Sequence, residues 1–198
     1  MRTHQQFLGF GIVLISIVLS GCGDSEPSVS WEPVSDEPSP DVQSAIESAD
    51  QAADELGGKL MSALQGALAE GGPAQAIKVC QEVAPSLAEE VGAEQGVRMG
   101  RTSYRLRNQN NRTPSWARAE VQQQSADMSA YVSSEGVVGR LRPIPMMPLC
   151  AQCHGTDDEI SLEVRDALSI HYPADKATGF RPGDIRGYFW VEVDINQP

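Results

Sequence analysis

Apolar side chains recur every three or four residues from Val42 through Ala45, Ala49, Ala53, Leu56, Leu60 and Leu64 to Leu68, and the pattern stops at Gly71, Gly72 and Pro73. That period places them on one face of a long amphipathic helix. Ser39 followed by Pro40 supplies a hydroxyl cap and then a residue needing no amide hydrogen, so the helix starts there. Gly57 and Gly58 are positions where it would loosen. A second helix begins near Pro73 with Ile77, Cys80 and Ala84 on one face, and Pro85 is expected to kink or restart it. A third is expected from Pro114 to about Val132, capped by Thr113.

Beyond these the period changes to two. Phe189, Val191, Val193 and Ile195 alternate with Trp190, Glu192 and Asp194, which predicts a strand with one apolar and one largely polar face. Val97 to Leu106 and Val137 to Leu141 are further expected strands. Glycines at 179, 183 and 187 punctuate the loop before the last strand. Helices first and strands later predict an α+β fold.

The first residues read differently. Arg2, then the apolar run Phe7 to Leu19, then Leu19-Ser20-Gly21-Cys22, have the form of an export signal too short to span a bilayer comfortably. The ending resembles a bacterial lipobox, which implies cleavage before Cys22 and acylation of that cysteine, a stable anchor when two or three chains are attached. The alternative is an ordinary secretory signal with an incidental cysteine, and both export the chain. The domain reading is a lipoprotein signal at 1–21, a flexible acidic tether at 22–40, rich in Pro and Ser, and a single domain at 41–198. Loss of Arg2 leaves 14 basic and 27 acidic residues, a formal charge of −13. Nucleic acid and anionic lipid headgroups are poor partners for such an average surface.

The four cysteines carry the candidate chemistry. Cys150-Ala-Gln-Cys153-His154 is the C-x-x-C-H spacing of c-type haem attachment. About one helical turn separates the sulfurs, so both reach one edge of a porphyrin, and His154 beside them offers an imidazole to the iron. A structural zinc site would want four ligands, with Cys80 and His171 the only recruits in view. A thioredoxin-like pair would want a βαβ pattern that is missing. If Cys22 is lipidated, Cys80 is left over. It is either a small buried hydrophobe or a thiol bound to something, and iron binds thiolates. Arg98 to Arg118 contains six arginines and no acid. Guanidinium forks suit haem propionates, and Arg101, Arg105 and Arg107 would share one side of a strand.

Ala76 to Pro85, Gly100 to Trp116, Leu149 to Gly155 and Tyr172 to Val193 together resemble a family of exported single-haem c-type proteins. That family was long labelled a domain of unknown function, is known from cyanobacteria and other bacteria, and has a PAS-like fold. The resemblance implies N-terminal helices packed on an antiparallel sheet, thioethers at Cys150 and Cys153, His154 as one axial ligand and Cys80 at the position of the opposite one. Where the family often has proline after Arg-Asn, this chain has Gln109, which leaves the local turn open. Met99, Met128, Met146, Met147 and His171 are rival ligands, the first two more readily core, the next two too close to Cys150, and His171 a partly buried histidine on a helical face.

The functional expectation is a lipid-anchored monohaem protein in electron transfer, facing the periplasm and serving a redox partner protein, with no enzymatic activity. The rival is a redox or small-ligand sensor, which rests on fold analogy. An anchor without an output domain tilts the expectation toward tethered electron transfer.

Overall fold

The computed structural model describes residues 29–196; the signal at 1–21 and Cys22 lie outside the described residues. The fold is α+β. Five antiparallel strands form one sheet in the order β1-β3-β4-β5-β2: β1 Trp31–Pro33, β2 Arg98–Thr102, β3 Ser129–Ser133, β4 Val137–Pro145 and β5 Ile185–Asp194. Helix α1 covers Pro40–Gln95, and short helices α2 Arg118–Gln123, α3 Ala151–His154 and α4 Leu162–His171 follow. No helix among the described residues is long and apolar enough to cross a membrane.

Helix α1 starts as the sequence dictates, with the Ser39 hydroxyl accepting from the Val42 amide and Pro40 in the first turn. It breaks where the period breaks: Gly71 leaves helical geometry and Gly72 takes φ 70°, open to glycine at little cost. The two halves fold back on each other, Lys59 reaching Glu90 and Glu94 at 2.7 and 3.0 Å and Gln95 reaching Glu55 at 2.7 Å. Two expectations fail here. The backbone stays helical through Gly57 and Gly58 and through Pro85. Gly57 sits 3.7 Å from the Phe189 ring, measured from the Cβ it lacks, an ordinary van der Waals contact between helix and sheet.

The helical hairpin covers one face of the sheet. Ala49, Ala52, Ala53, Leu56 and Val91 are buried against Val191, with Met99, Phe189 and Val193 around them. The alanines let helix and sheet approach closely, and each buried large side chain such as Leu56 contributes about 1.5–3 kcal/mol. The other face is not polar as alternation in β5 suggested. Tyr188 and Trp190 join Trp116, Ala117, Val121 and Leu141 in a second core with Trp31, Tyr104 and Tyr131. The expected third helix is shorter than its pattern. A 3-10 turn at Ser115–Ala117 leads into α2, which ends at Gln124 (φ 57°). Residues beyond it are taken by strand pairing, β3 lying between β4 and β1. Thr113 does not cap it; its hydroxyl meets that of Thr102 at 2.7 Å. The Trp116 ring lies flat on Gly139, where a Cβ would come within 2.7 Å, so this packing requires glycine.

Within the stretch expected as a tether at 22–40, Trp31–Pro33 pairs instead with Tyr131–Ser133 as an edge strand. Trp31 stacks on Trp116 with centroids 5.5 Å apart, and that aromatic burial outweighs the acidic, proline-rich composition around it. Conversely β4 runs past the expected Leu141 to Pro145 because β5 is long enough to pair with all of it.

Candidate cofactor-binding cleft

Between the tip of the helical hairpin and the ends of β2 and β5 the packing opens into a cleft with about 1340 Å³ of empty space, counting its open mouth. Leu60, Met61, Leu64, Leu68, Ala76 and Ile77 of α1 form one wall, with Phe189 of β5 behind them. Cys80, Cys150, Cys153 and His154 all line it, and the three cysteines are free thiols.

The local fold of the C-x-x-C-H segment follows from its sequence. Pro148 opens a 3-10 turn over Pro148–Cys150, which continues directly into α3, and the Gly155 amide closes it on the Ala151 carbonyl at 2.9 Å. Cys150 packs against Met146, Ala177 and Phe180, while Cys153 packs against Ile77, Ile160 and Leu168, so each sulfur-bearing residue is anchored to a different apolar cluster. Burial pushes both the Cys80 and Cys153 thiols up. The charges of Arg101 and Arg107 draw Cys80 back toward the thiolate.

His154 is held by the loop after α4. Its Nδ1 lies 2.7 Å from the Ala177 carbonyl oxygen and 3.0 Å from Arg186 Nε. One proton cannot serve both contacts. An unprotonated Nδ1 would set two lone pairs against each other at 2.7 Å, so Nδ1 carries the proton and donates to Ala177. The Arg186 contact is then charge crowding. Nε2 keeps its lone pair, the arrangement metal-binding histidines use. Burial, then the charges of Arg186 and Arg107, hold the imidazole well below its ordinary pKa, hence neutral.

Arg107 fixes this wall. Its guanidinium pairs with Asp175 at 3.1 Å, both side chains about one-tenth exposed, and donates to the carbonyls of Cys153 and Ala177. Asp175 in turn accepts the Ala177 amide at 2.7 Å. One buried ion pair therefore ties the cysteine helix to the loop that orients His154.

The three arginines expected to act together separate. Arg101 lines the cleft directly across from Phe189 on the neighbouring strand and makes no hydrogen bond to another described residue. Arg107 lines the cleft but is committed to Asp175. Arg105 does not line it: β2 ends at Thr102, strand alternation no longer applies, and Arg105 donates to the Thr178 carbonyl at 3.0 Å over the Phe180 ring. Sequence reasoning missed Arg186. Alternation puts it on the Tyr188 side, but the register slips between Ile144 and Pro145, leaving Arg186 as the extra residue of a bulge. Ile185 and Tyr188, three apart, then share the aromatic core, and Arg186 turns with Phe189 into the cleft. Burial lowers Arg101 from its ordinary value and Arg186 to about 9, and neither has a carboxylate within ion-pair distance among the described residues.

The rival ligands lie elsewhere. Met99 packs on the hairpin core, Met146 is buried under Phe180, and Met128 and Met147 are exposed. His171 is clamped by Gln81, which it meets at 2.8 Å through Nδ1 and whose amide donates to its carbonyl at 2.6 Å. Gln109 settles the turn left open by the sequence by donating to the Ala174 carbonyl at 2.9 Å.

Comparison with known proteins follows the same line. The family model described as Tll0287-like matches residues 30–194. Among solved structures the chain is similar to the cyanobacterial heme-protein Tll0287, at 22% identity and a TM-score of 0.55, covering 79% of this chain and 96% of that one. Among curated proteins none matches.

Proposed function

The chain belongs to the Tll0287-like family, and on that premise we propose that it is a lipid-anchored monohaem c-type protein acting in electron transfer. The observation that carries the reading is one cleft in which C-x-x-C-H, a third thiol and two half-buried guanidiniums without carboxylate partners meet an apolar wall. Unpaired cations that have lost much of their water are costly, so the cleft suits a ligand that is apolar in bulk and carries carboxylates. Haem has that chemistry, with two propionates for Arg101 and Arg186. The related structure is titled a heme-protein.

In this reading Cys150 and Cys153 supply the two thioether sulfurs, and His154 supplies Nε2 while Ala177 holds the other nitrogen. Cys80, across the cleft on α1, would supply the third sulfur; burial pushes its thiol up, and the Arg101 and Arg107 charges oppose that push. When bound, haem supplies an iron that exchanges one electron. The cleft itself contributes desolvation and fixed cations. Cys22 outside the described residues would carry the anchor, on a membrane facing the periplasm, where a redox partner protein collects the electron; no catalytic residue enters this reading. A sensor function is favoured only if Cys80 leaves on reduction, since that opens a coordination position.

The test is mass spectrometry after acid denaturation of protein made with a c-type maturation system. Wild type should retain one haem mass and Cys150→Ala/Cys153→Ala should lose it; an unmodified wild-type polypeptide would refute the assignment. On the same preparations, Cys80→Ala should change the ferric low-spin spectrum to that of a water-bound or open iron and raise the potential. Cys80→Ala spectra identical to wild type would remove Cys80 from the ligand set.

A further inference from the structure

On the far side of Leu106 from the cleft lies a second, open pocket with about 830 Å³ of empty space on the same measure. Its polar lining includes Arg118 and Gln122 of α2, Ser103, Tyr104, Gln109 and Thr113 of the segment after β2, and Lys176 of the loop after α4. Arg118 and Gln122 are four residues apart and so share one helix face. Lys176 is placed by its own amide, which donates to the Leu106 carbonyl at 2.9 Å.

The lining contains no carboxylate, although acids outnumber bases 27 to 15 in this chain. The acids nearest in sequence are committed elsewhere: Glu120 accepts the Tyr131 hydroxyl at 2.7 Å, and Asp175 pairs with Arg107. Neither Arg118 nor Lys176 has an ion-pair partner among the described residues. Arg118 and Lys176, both exposed at the pocket mouth without an ion-pair partner, stand beside the Gln122 carboxamide and the Tyr104 phenol and make a local positive field in a negative protein. The geometry points to a binding site for a small oxyanion, a carboxylate or phosphate, held between Arg118 and Lys176.

The site adjoins the proposed haem ligand through three consecutive residues. Lys176 faces the pocket, while Asp175 and Ala177 on either side hold Arg107 and His154.

The experiment is isothermal titration of the mature protein with inorganic phosphate and, separately, with succinate at low ionic strength. Saturable binding of one anion per chain is expected, weakening as salt is added. Lys176→Gln and Arg118→Gln should each weaken it by about tenfold or more, since each removes a charge-assisted contact. The double variant should lose it, and Arg165→Gln, exposed and outside the pocket, should bind like wild type. Binding of phosphate alone or succinate alone supports the site and identifies the oxyanion. Saturable binding of neither, or a double variant that binds like wild type, overturns it. Because the heat reports the anion, the result stands apart from the haem reading: a colourless protein that still binds succinate would refute only the latter.

Discussion

The two faces of the sheet are both lined with large apolar side chains, yet the centre of one is filled while the other opens into the cleft. On the aromatic face Trp116, Tyr188, Leu141 and Val121 are buried, and their polar atoms are satisfied internally. Trp116 Nε1 donates to Glu192 at 2.7 Å, Tyr131 to Glu120 at 2.7 Å and Tyr188 to the Ser125 carbonyl at 2.9 Å. On the helical face the base of the hairpin packs equally well on β5, but toward its tip the same kinds of residues stand back from Phe189 and leave a cleft with unpaired guanidiniums. Since the chain can close a core completely, the open half of the helical face is a feature of the site. The buried side chains at the centre of the aromatic face therefore answer for stability, and those around the cleft for the cofactor.

Trp116→Ala is the largest break in that comparison. It removes a 7% exposed indole and leaves a void over Gly139, which should cost about 3–5 kcal/mol. For a domain of this size the melting temperature should fall on the order of 10 °C. The reduction potential and ferric spectrum of the loaded protein should stay at wild-type values. A potential that moves with Trp116→Ala would mean that the faces are not separable.

How far these roles were legible in the sequence differs between the same two faces. The two long helices, the break at Gly71 and Gly72 and the C-x-x-C-H turn were readable because period and spacing are local properties, while Cys80 and Arg101, reached through the odd cysteine and the acid-free run of arginines, line the cleft. The aromatic core was not. Trp31 lies in a stretch whose composition reads as tether, and Ser129–Ser133 continues a helical pattern until two partner strands claim it. Arg186 was hidden for a related reason, since a bulge reverses the side on which every residue before it points and leaves no compositional mark. Arg105 failed in the opposite direction, because alternation was extended past the end of its strand.

Asp175→Asn should have a smaller effect on stability and a larger one on the cofactor. It weakens the buried pair with Arg107 and the bond from the Ala177 amide, costing about 1.5–3 kcal/mol, while the carbonyls of Cys153 and Ala177 still accept from Arg107. The consequence falls on His154, whose Nδ1 partner is Ala177. The ferric magnetic resonance signal and the potential should shift, and Asp175→Glu should restore part of the wild-type signal by returning the charge. If stability falls but spectrum and potential are unchanged, the clamp is structural only, and the assignment of the cleft wall to cofactor positioning fails.

The smallest expected effect is alkaline. Tyr131 is pushed up to about 12 by burial and by its hydrogen bond to Glu120, and Tyr188 to about 12 by burial and the neighbouring Glu120 charge. An unfolded tyrosine titrates near ~10. Between those values the folded chain holds protons the unfolded chain has released, so stability is intact below about pH 10 and declines as pH rises toward 12. Tyr131 keeps some solvent contact, so screening keeps its share of the decline shallow, whereas Tyr188 is fully buried. Denaturant midpoints taken across that window should fall more gently in Tyr131→Phe and in Tyr188→Phe than in wild type. Tyr172 on the cleft side is also pushed up to about 12, by burial and then by Cys80, which makes Tyr172→Phe the control. Loading the cleft replaces the environment that sets its shift, so in holo protein this variant should leave the slope unchanged. A flatter slope in Tyr172→Phe than in either aromatic-face variant would reverse the division of labour between the two faces.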